Sequence, residues 1–182
     1  MSALWIILPL LGGYVAHAPV LRFDWLRPLA RPIDAGASFR GKRVFGDNKT
    51  WRGALVMFGG VVAATLLLSA APSVANHWPA PLREHTLAYG LLLALGFVAG
   101  ELPNSFLKRQ LEIAPGQRRL SALGVTLALF DQADFVPGIW LSLSPLWCMT
   151  VNQAAIVFAA ALLIHLVINV IGYAIGARKS WL

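Results

Sequence analysis

The sequence predicts an all-α integral membrane protein with five transmembrane helices. Hydrophobic residues make up 58% of its 182 residues and charged residues only 13%, which leaves too little polar surface for a water-soluble domain. The apolar residues fall into five runs, each close to or above the ~20 residues that a helix needs to cross the hydrocarbon core. We expect a single transmembrane domain over residues 1–182. The five runs are residues 3–20, 54–71, 86–103, 120–147 and 151–177.

The distribution of Lys and Arg predicts how these spans are oriented. Fourteen of the fifteen basic residues lie in segments 21–53, 104–119 and 178–182, and Arg83 is the exception. Loops that stay in the cytoplasm carry an excess of Lys and Arg, so we expect an N-out, C-in protein of the cytoplasmic (inner) membrane with two long cytoplasmic loops. The same rule accounts for the net charge of +7 without a nucleic-acid partner. No basic segment precedes the first run, so we expect an uncleaved span there.

The end of the first long loop carries a group of polar residues directly before the second span. The segment reads FGDNKTWRG, and its polar side chains are Asp47, Lys49, Thr50 and Arg52. Free backbone N–H groups and the positive end of the helix dipole favour an anion at such a position. A helix N-cap, with the basic residues facing lipid phosphates, explains the same pattern equally well.

A second polar group follows the third span, in GELPNSFLKRQLEIAPGQRR. Its members are Glu101, Asn104, Ser105, Lys108 and Arg109. We expect Pro103 to interrupt the helix, which would let the first three line a polar cavity instead of facing lipid. A stop-transfer cluster explains the basic residues equally well, but it does not explain Glu101.

The fourth run contains two carboxylates three residues apart, Asp131 and Asp134, in LFDQADFVPG. If the helix begins near Leu120, Asp131 lies ~16 Å along it. A lone charge at that depth costs several kcal/mol, and two like charges at i and i+3 repel each other. Three interpretations remain open: Mg²⁺ bound through both carboxylates and substrate phosphates, a proton relay, or neutralisation by Lys or Arg from the loops.

Two further patterns lie in the apolar runs. His165 and Asn169 are four residues apart on one face of the last span, where they either pack as hydrogen-bonded residues or line a pocket. Gly96 and Gly100 form a GxxxG pattern, which predicts a close approach between the third helix and a neighbour.

Three blocks, in order, resemble the CDP-archaeol synthase family, membrane cytidylyltransferases related to the phosphatidate cytidylyltransferases. They are FGDNKTWRG, then NSFLKRQLEIAPG with FDQADF, and finally HLVINVIGYAIGARKSWL. The resemblance implies a reaction in which CTP and a phosphorylated lipid give a CDP-lipid and pyrophosphate for phospholipid synthesis. It implies an active site that faces the cytosol among membrane lipids, and it leaves a homodimer open.

The resemblance also implies roles for residues at matching positions. Asp131 and Asp134 would hold Mg²⁺ and act as catalytic residues with Lys108, and a second, monovalent cation is left open. The residues expected to bind the phosphates or base of CTP are Asp47, Lys49, Thr50, Arg52, Ser105 and Arg109. Those expected to line the pocket are Glu101, Asn104, His165 and Asn169.

Some positions depart from the family pattern. Asn48 replaces a common Gly, and GELPNS stands where G-D-x-x-G-S is more frequent. These changes leave the lipid open among an archaeol-type ether lipid, phosphatidic acid and other lipid phosphates. From another class, a small proton- or cation-coupled transporter would use Asp131, Asp134 and His165 as its relay. A non-catalytic membrane subunit is disfavoured, because its buried carboxylates would lack a purpose.

Overall fold

The computed structural model describes residues 4–114 and 130–174, without the side chains at 165, 168, 169 and 171–174. Most of this part of the chain is helical. The helices are α1 Leu4–Arg22, α2 Trp51–Ser69, α3 Pro72–Ala75, α4 Ala80–Glu84, α5 Thr86–Gln110, α6 Phe135–Leu143 and α7 Val151–Ala174. The loop between α1 and α2 contains a 3₁₀ turn, Arg27–Leu29, and two short antiparallel strands, β1 Ser38–Phe39 and β2 Lys42–Arg43.

Three helices of the described part are long and apolar enough to cross a membrane, namely α1, α2 and α5. They correspond to the first three predicted runs. Residues 151–164 of α7 form a shorter apolar helical stretch in the fifth run. Residues 115–129, in and before the fourth run, lie outside the description. The helical membrane architecture is therefore confirmed, while the count of five spans and the N-out, C-in orientation stay predictions.

Helix α5 does not stop at Pro103, and the predicted interruption is wrong. The helix continues to Gln110, although proline cannot donate a backbone hydrogen bond to the preceding turn. The segment beyond the proline is held by outside contacts that offset this loss. Asn104 and Lys108 bind the turn before α6, and Arg109 binds the loop between α1 and α2.

The two carboxylates of the fourth run do not lie within a continuous helix, so that part of the prediction is also wrong. Residues 131–134 form a turn, and α6 begins at Phe135 with Asp134 in the N-cap position. A carboxylate beside a helix N-terminus faces the positive end of the helix dipole. This position lowers the electrostatic cost of placing Asp134 in apolar surroundings.

The helices pack so that one end of the bundle gathers the polar residues. Helix α1 packs on α2, α2 on α5, and α5 on α6. The contact between α5 and α6 is close, because Cβ atoms added at Gly96 and Gly100 would lie 2.6 Å from Ile139 Cα and 2.8 Å from Phe135 Cα. This confirms the predicted role of the GxxxG pattern. It also sets the last turns of α5 beside the turn that carries Asp131 and Asp134.

Candidate active site

The loop between α1 and α2 is organised around Asp34, whose side chain is only 1% exposed. Its carboxylate accepts hydrogen bonds from the backbone N–H groups of Gly36, Phe45 and Gly46, at 3.0, 2.9 and 3.1 Å. It also pairs with the Arg43 guanidinium at 2.8 Å. Burial opposes ionisation of Asp34, but the donated hydrogen bonds outweigh it and hold the pKa below the ordinary value of 3.8.

The same loop is bonded to the last turn of α5 and caps that end of the bundle. Lys42 Nζ donates to the Gln110 carbonyl at 2.8 Å, and Gln110 Nε2 donates to the Arg43 carbonyl at 3.2 Å. Arg109 Nε donates to the Phe45 carbonyl at 3.1 Å. Contacts between segments more than 60 residues apart thus fix the loop, which we call the cap (residues 23–50), over α5.

Replacing Asp34 by alanine is expected to lower the free energy of unfolding by about 1–3 kcal/mol, because three backbone N–H groups lose their acceptor. Since the pKa of Asp34 is lowered in the folded state, its stabilisation is present above pH ~4 and is lost as the pH falls further. Thermal unfolding in detergent between pH 3 and 7 measures both effects. Asp47→Asn is the control, since that side chain is 77% exposed, and an equal loss in both variants would contradict the assignment.

A polar cavity of about 280 Å³ lies beneath the cap, between α1, α2 and α5. Its polar lining consists of Tyr14, His17, Asn48, Lys49, Thr50, Glu101 and Asp131. Lys49 forms an ion pair with Glu101. Thr50 Oγ1 accepts a hydrogen bond from the Gly53 N–H at 3.1 Å and caps α2, so the N-cap interpretation is confirmed for this residue. The N-terminal end of α2, at Thr50 and Gly53, borders the cavity, and the positive end of the helix dipole favours an anion there.

An apolar groove of about 780 Å³ lies between α5 and α6. Several of its apolar side chains are exposed, including Leu95, Leu107 and Leu141. Asn104 and Asp134 also line the groove. A long apolar groove with a carboxylate and an amide among its lining suits a molecule with an apolar chain and a polar head.

The two carboxylates are held together by one side chain from α5. Asn104 Nδ2 donates to Asp131 Oδ1 at 3.1 Å and to Asp134 Oδ2 at 2.9 Å. Lys108 Nζ, one helical turn further along, pairs with Asp131 Oδ1 at 2.5 Å. The predicted neutralisation by a basic residue is therefore present for Asp131. Because Asp131 lines the polar cavity and Asp134 lines the apolar groove, the pair stands where the two spaces meet.

The donor set at this turn fits a magnesium ion. No group of three or more His, Cys, Asp or Glu side chains able to hold a metal occurs within residues 4–114 and 130–174. Mg²⁺ does not need such a group, because it usually binds through one or two carboxylates and completes its shell with water and substrate phosphates. Asp131 and Asp134, brought close by a shared amide, provide that minimal set.

Of the residues proposed from sequence, seven lie at these two spaces or bind the carboxylate pair: Lys49, Thr50, Glu101, Asn104, Lys108, Asp131 and Asp134. Four others lie elsewhere. Asp47 pairs with Arg43, and Arg52 pairs with Asp24. Ser105 and Arg109 are buried and line neither space. The side chains of His165 and Asn169 lie outside the described part of the chain. The binding roles of these residues stay predictions.

The sequence analysis missed Asn48 and two α1 residues of the polar cavity, Tyr14 and His17. The two α1 residues are the more informative ones. They lie three residues apart in α1, hence on one face of that helix. Polar side chains with this spacing in an otherwise apolar span are a signal for a cavity-facing surface. Asp34 was missed as well, although Asp before Ala-Gly is typical of a turn.

Known proteins are similar to this chain over most of its length. Residues 1–182 match the family model described as CarS-like, CDP-archaeol synthase. A CDP-archaeol synthase of Methanoculleus marisnigri is 39% identical over 161 residues, covering 81% of this chain and 87% of the relative. One from Pyrococcus furiosus is 32% identical over 175 residues, covering 95% and 92%.

A solved structure is similar as well. It is described as "Structural insight into an intramembrane enzyme for archaeal membrane lipids biosynthesis", with 29% identity, a TM-score of 0.68 and coverage of 92% of both chains. Fold and sequence thus agree over most of the length. The chain belongs to the CDP-archaeol synthase family and is a CTP-dependent cytidylyltransferase of the membrane.

Proposed function

We propose that this enzyme transfers CMP from CTP to a lipid phosphate at the turn that carries Asp131 and Asp134. The observation that supports this location is the placement of the pair: Asp131 lines the polar cavity and Asp134 lines the apolar groove. The two substrates differ as the two spaces do: CTP is a water-soluble polyanion, which suits the polar cavity, and the lipid is mostly apolar, which suits the groove. Their phosphates would meet at the carboxylate pair.

The polar cavity is the proposed site for CTP. Lys49 lies in its wall, and the N-terminal end of α2 borders it. Both features favour phosphate groups. The ion pair between Lys49 and Glu101 would exchange for contacts with CTP, because a triphosphate is the stronger partner for an ammonium group. Thr50 keeps α2 capped throughout.

The apolar groove is the proposed site for the lipid chains. Its wall is formed by apolar side chains of α5 and α6, several of them exposed on the surface of the bundle. In a bilayer, such a surface faces hydrocarbon, so chains can lie in it without first leaving the membrane. Because Asp134 lines the groove and is anionic like the lipid phosphate, it would hold that phosphate close to the turn only through a cation bound to the carboxylate pair. An archaeol-type lipid phosphate is the substrate that the family relationship favours.

The chemistry needs electrostatic stabilisation more than proton transfer. A lipid phosphate oxygen, already anionic at pH 7, attacks the α-phosphorus of CTP; the bond between the α- and β-phosphates breaks and pyrophosphate leaves. Asp131 and Asp134 would hold Mg²⁺, which supplies charge neutralisation for the phosphates when it is bound. Lys49 and Lys108 would add positive charge on either side of the pair. Such positioning of charge is the main source of rate in phosphoryl-transfer reactions.

The site faces the cytosol in this proposal, where CTP is available. The cap and the end of α5 lie on the same side of the bundle as the carboxylate pair. Both segments are rich in Lys and Arg, as is typical of loops that stay in the cytoplasm.

The direct test is incubation of the purified protein with labelled CTP, Mg²⁺ and a panel of lipid phosphates, followed by extraction with organic solvent. We expect label in the organic phase with at least one lipid, and pyrophosphate in equal amount. The absence of label from the organic phase with every lipid would contradict the proposed reaction, and cation or proton flux in proteoliposomes without nucleotide consumption would support the transporter alternative.

Replacing Ala99 by tryptophan is expected to raise the KM for the lipid at least about tenfold, because the larger side chain fills the groove that Ala99 lines. The KM for CTP should stay within about twofold, since Ala99 does not line the polar cavity. Steady-state rates with each substrate varied in turn give both constants. Ala63→Trp is the matched control, because Ala63 is exposed on α2 and lines neither space. An equal rise in both constants, or no rise in either, would contradict lipid binding in the groove.

A further inference from the structure

One face of α5 contacts α6 and the turn before it through four residues spaced four apart. They are Gly96, Gly100, Asn104 and Lys108. The two glycines let the helices approach closely, and the next two positions reach the carboxylates with polar groups. Side chains at i and i+4 lie above one another on a helix. The stripe therefore combines close packing with two polar contacts to one short turn.

Asn104 differs from Lys108 because it contacts both carboxylates at once. The residue is only 7% exposed, and its single Nδ2 atom carries two protons. One proton can serve Asp131 Oδ1 at 3.1 Å and the other Asp134 Oδ2 at 2.9 Å. The reverse orientation of the amide would direct its carbonyl oxygen at two anions and is excluded by repulsion.

These bonds leave one oxygen of each carboxylate open. Among the described residues, the hydrogen bonds and ion pairs of Asp131 fall on Oδ1, and those of Asp134 fall on Oδ2. Asn104 therefore orients both carboxylates without using the second oxygen of either. Residues that bind metal ligands in this way fix their orientation, and losing them typically weakens metal binding about 10–100-fold.

We propose that Asn104 is a positioning residue: its amide bridges Asp131 and Asp134 and keeps the two carboxylates oriented to bind a divalent cation. This inference rests on the proposed role of the two carboxylates in binding Mg²⁺. Without the bridge, the two anionic groups repel each other and each can rotate away. The cation would then have to bring them together as it binds, which lowers its affinity.

The test is a titration of the purified enzyme with Mn²⁺ alone, in the absence of CTP and lipid. The EPR signal of the free ion measures how much Mn²⁺ remains unbound at each step. We expect Asn104→Ala to raise the Kd for Mn²⁺ about 10–100-fold. In activity assays the Mg²⁺ concentration for half-maximal rate should rise by a similar factor, while saturating Mg²⁺ restores kcat to within a few-fold. A general loss of folding would lower kcat at every Mg²⁺ concentration.

Thr65→Ala is the matched control, because Thr65 is a fully buried polar residue of α2 that bonds only to the Val61 carbonyl in the described contacts. Its Kd for Mn²⁺ should match that of the parent enzyme. A double variant, Asp131→Asn with Asp134→Asn, separates the two claims. If Asn104→Ala binds Mn²⁺ with an unchanged Kd while the double variant no longer binds it, the role of Asn104 is overturned and the metal site stands. If the parent enzyme does not bind Mn²⁺, or the double variant binds it as the parent does, the metal site is overturned and the role of Asn104 with it.

Discussion

The single substitutions Asp131→Asn and Asp134→Asn are each expected to reduce CDP-lipid formation more than about 100-fold at saturating substrate. Each substitution keeps the size of the side chain and removes the negative charge that the proposed Mg²⁺ site requires. Labelled CTP, with label counted in the lipid fraction, measures the effect. No increase in Mg²⁺ should restore the parent rate, because a ligand itself has been lost.

Both variants should still fold and insert. The side chain of Asp134 makes no capping hydrogen bond at the start of α6, and the amide oxygen of an asparagine can still accept the hydrogen bond from Asn104. Asp131 is about half exposed but its partner Lys108 is only 14% exposed; because the amide oxygen of an asparagine can still accept a hydrogen bond from Lys108, losing the charge should cost about 1–2 kcal/mol. Size-exclusion profiles and thermal unfolding in detergent check this. Glu84→Gln, a change of an exposed carboxylate in α4, should leave activity intact.

The result that would refute the catalytic assignment is substantial CDP-lipid formation by both asparagine variants. Loss in one variant only would be informative in a different way. Since Asp131 lines the polar cavity and Asp134 the groove, a KM effect confined to CTP or to lipid would assign one carboxylate to each substrate.

Hydropathy was sufficient to predict the three long helices, because a span of about 20 apolar residues has few alternatives in a membrane. It was insufficient for the start of α6. The two aspartates are the only charged residues of the apolar run 120–147, yet the chain turns at 131–134. The residue that indicates a helix start here is Pro137, which lies in the first turn of α6. Proline is tolerated there because the first N–H groups of a helix need no partner within it.

The cap shows a second limit of reasoning from sequence. The family resemblance implies that Arg52 binds CTP together with Lys49 and Thr50, and this role stays a prediction; the sequence did not indicate that its guanidinium pairs with Asp24, 28 residues earlier. Asp34 binds groups as far as Gly46. Neighbouring positions in a sequence indicate a shared role only when the backbone is regular. In an irregular loop, the partner of each charge depends on long-range folding.

The carboxylate pair shows what a sequence can predict even when the local structure is wrong. The physical argument required compensation for two acids in an apolar run, and compensation is present in the form of Asn104, Lys108 and the N-terminus of α6. The argument did not require a continuous helix. It therefore holds although Asp131 and Asp134 lie in a turn.

Replacing Gly138 by alanine is expected to destabilise the protein by about 2 kcal/mol or more and to reduce activity about 100-fold. A Cβ atom there would lie 2.5 Å from Gly100 Cα and 2.9 Å from Gly100 N, and backbone atoms cannot move aside without shifting α6. The shift would separate Asp131 and Asp134 from Asn104, and a displacement of about 1 Å at a reacting site can cost that factor. Thermal unfolding and rates at saturating Mg²⁺ measure both losses.

Gly59→Ala is the control for Gly138→Ala. The added atom meets nothing within 4 Å, so this variant should have unchanged or slightly raised stability. If Gly138→Ala has the stability and rate of the parent enzyme, α5 and α6 do not cross closely at this position. In that case close packing is not what brings Asn104 and Lys108 to the carboxylates.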